Sequence, residues 1–132
     1  MKKWMLSLAF VVLLMWAAVL VFAGCTIEKT FTIDAAQSIE IASGDTGKTV
    51  TVTDTEVIQQ ITDNIASISF EREESSEGYS GWGYRIRWYD ASGAELESLV
   101  IQGEALINDD GFFWLAADGR IDTALLDALL GI

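Results

Sequence analysis

The chain begins with an apolar stretch, Trp4 to Ala23, interrupted only by Ser7 and preceded by Lys2 and Lys3. About 20 helical residues span a hydrocarbon core of roughly 30 Å. The stretch therefore reads either as an uncleaved membrane anchor or as the apolar region of a signal peptide. It ends at Val21-Phe22-Ala23-Gly24-Cys25, after which the chain turns polar and acidic. Residues 25–36 carry scattered Phe31 and Ile33 without a sustained pattern and are expected to be a tether, with an edge strand as the alternative.

A period of two then sets in. Ile39 and Ile41 alternate with polar neighbours in Ser38 to Ala42, as do Val50 and Val52 in Lys48 to Thr53, and Ser43-Gly44-Asp45-Thr46-Gly47 supplies a reversal. At Thr53 the period lengthens. Thr53 and Glu56 have capping-box spacing, and Val57, Ile58, Ile61 and Ile65 recur on one helical face, which predicts a helix from Thr55 to Ala66. Its β-branched residues are weak helix formers, so packing against a sheet must hold it. Alternation returns in Ser67 to Arg72 and is followed by an acidic, serine- and glycine-rich stretch, Glu71 to Ser80, expected to be a loop.

Gly83 to Asp90 is the clearest strand, with Tyr84, Ile86 and Trp88 on one face. The turn Asp90-Ala91-Ser92-Gly93 leads into Ala94 to Ile101, where Glu95 and Glu97 are expected opposite Arg85 and Arg87. Ala105 to Asn108 and Gly111 to Leu115 follow as two short strands. Asp122 then caps a C-terminal helix with a stripe of Ile121, Leu125, Ala128, Leu129 and Ile132. The expected class is α+β: an antiparallel meander of six or seven strands, one helix packed on a face, and a short C-terminal helix. The expected division is a leader over 1–24, a tether over 25–36 and a single domain over 37–132.

Composition narrows the chemistry. The 132 residues include 20 acidic and 8 basic side chains, no histidine, no proline and one cysteine. Histidine-dependent triads and histidine-ligated zinc are excluded, as is any internal disulfide. A net charge of −12 argues against a nucleic-acid partner, because phosphate binding needs clustered Lys and Arg. Lys2 and Lys3 belong to the leader, so the exported part is more acidic still, which favours a self-repelling monomer. No cofactor, phosphate loop, nucleophile elbow or metal-ligand spacing is present in the sequence.

The small residues Ala23 and Gly24 directly before Cys25 resemble a bacterial lipobox, with Phe22 where leucine is most frequent. The resemblance implies that Cys25 carries a diacylglyceryl group, that the leader is cut before it, and that the protein is held on the extracytoplasmic face of the cell membrane. Asp54 to Leu130 also resembles a family of small Firmicutes lipoproteins with an uncharacterised domain. The similar features are Thr53, Asp54 and Ile58 at the helix start, Trp88-Tyr89-Asp90 with Gly93, Gly111-Phe112-Phe113, and Ile121-Asp122. That family implies an exported lipoprotein and supplies no activity.

Two acidic turns invite a cation, Asp109-Asp110-Gly111 and Asp118 to Asp122. Calcium loops, however, distribute their oxygen ligands over several spaced positions, and a plain turn and a helix cap account for both. Trp88 shares the inward parity of Tyr84 and Ile86 and is expected in the core. Tyr79 and Trp82 lie in a glycine-bearing loop and are the candidate contact residues, with Trp82 folding back over the sheet as the alternative. The expected function is a non-catalytic module that binds a protein, peptide or cell-wall component. The alternative is a small hydrolase using carboxylates or a serine.

Overall fold

The structure is a computed structural model and describes residues 26–132. The leader and Cys25 lie outside the described residues. Among those described, eight strands form one sheet: β1 (Glu28–Lys29), β2 (Ser38–Ser43), β3 (Thr49–Val52), β4 (Phe70–Ser75), β5 (Tyr84–Tyr89), β6 (Glu95–Gly103), β7 (Leu106–Asp109) and β8 (Phe112–Ala116). Two helices accompany them, α1 (Thr55–Ala66) and α2 (Thr123–Leu130). The strand order is β1-β4-β8-β7-β6-β5-β2-β3, and every neighbouring pair is antiparallel.

The expectation of an antiparallel α+β domain is met, but the strand count and the simple meander are not. The run β5 to β8 and the hairpin β2–β3 follow one another in space as they do in sequence, whereas β2 lies beside β5 and β4 beside β1 and β8. The extra strand is β1, inside the segment expected to be a tether. Glu28 pairs with Glu71 and Lys29 with Phe70, while Phe31 is buried with its ring edge-on to Phe70 at 5.9 Å. A two-residue ladder has no period to read, and the apolar contact that fixes it is made 39 positions away in sequence, between Phe31 and Phe70. Strand β4 also runs on through Ser75 where a loop was expected. Its outer side chains are solvated acids, so it lacks apolar alternation.

Two consequences of the order shape the molecule. Helix α1 and its flanking residues carry the chain from β3, at one edge, to β4, next to the other. Strands β4 and β5 are four antiparallel steps apart and so run in the same direction, and the connection between them must travel back along the sheet. Residues 76–83 make this return.

The inward residues of the strands, Ile39, Ile41, Val52, Phe70, Ile86, Trp88, Leu99, Ile101, Ile107 and Trp114, form a single core. Both helices add to it, Ile58, Ile61 and Ile65 from α1 and Leu126 and Leu130 from α2. Trp88 is fully buried as expected, and its indole N–H donates to the Thr62 hydroxyl at 3.1 Å; that hydroxyl in turn donates to the Ile58 carbonyl at 2.7 Å. This satisfies the two polar groups that the core encloses at this point.

Helix α1 has the expected bounds, but its cap is Asp54, one residue after the expected Thr53. The Asp54 carboxylate accepts from the N–H groups of Glu56 at 2.9 Å and Val57 at 3.3 Å. Asp122 caps α2 as expected, accepting from Leu125 N–H at 3.1 Å. The stripe of α2 is rotated from expectation. Ile121 is buried as expected and Leu125 and Leu129 pack against the core in part, but the buried leucines are Leu126 and Leu130, Ala128 is exposed, and Ile132, beyond the left-handed Gly131 that ends the helix, is 48% exposed.

Candidate functional site

The side of the sheet opposite the core is crossed by residues 76–83, and each end of this segment is pinned. At its start the Ser76 N–H donates to Gly111 O at 2.9 Å and the Ser76 hydroxyl donates to the Asn108 side chain at 2.6 Å. At its end Gly83 N–H donates to Ile101 O at 2.9 Å, and Gly44 N–H donates to Gly83 O at 2.8 Å. Gln102 Nε2 donates to Gly81 O at 3.0 Å. The segment is thus fastened to β7 and the β7–β8 turn at one end and to β6 and the β2–β3 turn at the other.

The two candidate aromatics on this segment have different settings. Tyr79 is 56% exposed and stands edge-on to Phe113 of β8, with 5.2 Å between ring centres. Trp82 is half-buried. The Arg85 guanidinium lies 4.7 Å from its ring, and its backbone packs on Gly44. Arg85 was expected to face a glutamate. The register instead sets Val100 opposite Arg85, Ser98 opposite Arg87 and Glu97 opposite Trp88, and a bulge after Trp88 brings Glu95 opposite Tyr89. Arg87 keeps loose ion pairs with Glu95 at 3.6 Å and Glu40 at 3.7 Å.

Tyr79 divides two open grooves. One, of about 430 Å³, is lined by Asp45, Ser80, Trp82, Gln102 and the glycines beside them. The other, of about 510 Å³, has Leu106, Phe113 and Leu115 as its floor and Tyr79, Gln102, Glu73 and Glu74 around it. The second depends on a bulge in β4: Arg72 pairs with Trp114 and Ser75 with Phe112, so Glu73 and Glu74 together oppose the single residue Phe113. Consecutive residues of a regular strand point to opposite faces. The bulge instead lets both carboxylates line one groove.

Leu106, Phe113, Leu115, Glu73 and Glu74 were not foreseen as site residues. The available signal was Phe112-Phe113-Trp114-Leu115, a strand apolar on both faces, which implies cover or a contact surface on each side.

The acidic turns have structural uses. The Lys29 ammonium reaches Asp109 at 2.5 Å and Asp110 at 2.6 Å, and lies 4.5 Å from the Trp114 ring. Burial works to lower the Lys29 pKa, but the two aspartates outweigh it and raise the value above the ordinary 10.5. The hydrogen bond and charge of Lys29 hold the Asp110 carboxyl below its ordinary value. Asp118 accepts from Ser69 N–H at 2.9 Å. Among the described residues no group of three or more Cys, Asp or Glu side chains is placed to hold a metal ion, and no helix is long and apolar enough to cross a membrane. On the core side, Tyr84 donates its hydroxyl to Asp127 of α2. Burial, followed by that hydrogen bond, pushes the phenol up to about 12.

Comparison with known proteins finds no matching family model, no matching curated protein and no matching solved structure.

Proposed function

We propose that this protein is an extracytoplasmic lipoprotein of the cell membrane, held by a diacylglyceryl group on Cys25, whose domain is a non-catalytic module that binds a protein, peptide or wall component. On this reading it belongs with the small Firmicutes lipoproteins it resembles and acts as a monomer. The observation that carries the binding role is Tyr79: an aromatic ring more than half exposed, seated on Phe113 where two grooves meet, on a segment pinned at both ends. A fixed aromatic offers contact area at low entropic cost. The Lys2-Lys3 start, the apolar run and Ala23-Gly24-Cys25 support the anchor.

The test is a photo-crosslinking amino acid placed at Tyr79 of the full chain in intact cells, compared with the same group at Ser92 in the β5–β6 turn. A discrete adduct from position 79 alone is expected. Equal adduct patterns from both positions overturn the binding role. Metabolic labelling with a palmitate analogue tests the anchor, and equal labelling of wild type and Cys25→Ala overturns it.

A further inference from the structure

The groove floored by Leu106, Phe113 and Leu115 has a chemistry that selects its ligand. We propose that it receives a basic, amphipathic peptide segment, with an apolar side chain on Phe113 and Leu115 and flanking Lys or Arg side chains on Glu73 and Glu74; this rests on the binding role argued above.

Three observations lead to this class of partner. The floor is apolar and open, and Leu115 is 40% exposed beside the half-exposed Tyr79 ring. An aliphatic or aromatic side chain entering there removes apolar surface from water on both partners. Next, the β4 bulge brings two carboxylates to one rim instead of sending them to opposite faces. Bulges that re-aim side chains cluster beside binding and active sites. Finally, these carboxylates are uncompensated: among the described residues neither Glu73 nor Glu74 has an ion pair. Among the described residues, Arg72 lies against the Phe112 ring at 4.7 Å and Lys29 between Asp109 and Asp110, so neither is paired with these glutamates. A cation must come from the partner.

Charge decides against the other occupants. A second copy of a chain carrying −12 brings like charge to the rim, as does an anionic membrane surface. A neutral apolar ligand would fill the floor but leave Glu73 and Glu74 without a role.

The experiment uses the full chain in nonionic detergent and three labelled pentapeptides: Lys-Leu-Lys-Phe-Lys, Glu-Leu-Glu-Phe-Glu and Lys-Ser-Lys-Ser-Lys, each corrected for binding to empty micelles. The basic apolar peptide is expected to bind, and the other two to bind at least about tenfold more weakly. Glu73→Gln with Glu74→Gln is expected to weaken the first peptide about fivefold, as two solvent-exposed ion pairs allow, without moving the melting temperature. Leu115→Ser is expected to weaken it as well. Equal binding of the acidic peptide, unchanged binding by the glutamine variant, or no binding of any peptide overturns the proposal. So does self-association that the basic peptide fails to displace. Any of these results together with a discrete Tyr79 adduct in cells rejects the ligand class and leaves the binding role standing, whereas loss of that adduct rejects the binding role itself.

Discussion

A β-carbon on Gly44 would stand 2.0 Å from the carbonyl oxygen of Trp82. That approach, together with the hydrogen bond from Gly44 to Gly83, seats the end of the crossing segment against the β2–β3 turn. Gly44→Ala must push Trp82 away, because backbone yields little. The expected cost is about 1–3 kcal/mol, the usual range for overpacking. Chemical unfolding and amide exchange at Gly83 measure it, and a variant as stable and as protected as wild type would refute the tight seat.

Tyr79 and Trp82, paired in the sequence by their shared loop, should separate under mutation. Tyr79→Ala loses one edge-on ring contact and should cost at most about 1 kcal/mol. Trp82→Ala removes the platform under Arg85 and the wall against Gly44, and should cost more than about 1 kcal/mol. Thermal unfolding of the two single variants decides the order.

In the core, Thr62→Val preserves shape while removing the acceptor for the Trp88 indole N–H. A buried donor left unsatisfied costs about 1–3 kcal/mol. Adding Trp88→Phe removes that donor as well, so the double variant should lose less than the sum of the two single changes. Additivity in such a cycle would show the bond to be unimportant.

Tyr84 sets an alkaline limit. Its pKa is raised in the folded chain to about 12 from 10, so the unfolded chain ionises first. The stability contributed by the protonated phenol is complete below about 10 and is lost as pH rises toward 12. A phenolate absorbance titration should show one of the three tyrosines ionising late, and Tyr84→Phe should abolish that step.

Lys29 has the complementary effect in acid. The Asp110 pKa is lowered, so the linked stability is present above the ordinary carboxylate value of 3.8 and is lost as pH falls through the lowered one. Lys29→Met removes the cause of the lowering. Its melting temperature should therefore start lower at neutral pH and fall less on acidification than that of wild type.

How far these features could be read from the chain depended on the range of the interactions behind them. Helix α1 was legible to its bounds because Ile58, Ile61 and Ile65 recur at a local period. The core strands β2 and β5 were legible for the same reason, with Ile39, Ile41, Ile86 and Trp88 all inward. What was missed depends on distant partners. Lys29 gains a strand only because Phe70 and Asp109 come to it, and Glu71 to Ser75 extend only because β8 lies alongside. The bulge at Glu73 and Glu74 breaks the alternation by which a strand is recognised. Within the site, Tyr79 was visible as an aromatic in a glycine-bearing stretch. Phe113 was hidden because a residue on the outer parity of a strand is expected to meet solvent.

The strand order also fixes a sequence in time. Strand β4 lies beside only β1 and β8, and β8 is the last strand to be made. Until Phe112 to Ala116 have emerged, β4 has no neighbour but two residues of β1, and the pairs β2–β3, β2–β5, β5–β6 and β6–β7 form a block unconnected to it. The sheet becomes continuous in a single late step, when β8 fills the gap beneath a crossing segment already synthesised. Such non-local closure is slow, and it leaves two unpaired edges open while it waits. A chain cut before Phe112 would therefore lose the one strand that hydrogen-bonds to both β4 and β7, leaving the two parts of the sheet to be held by the crossing segment and the shared core alone.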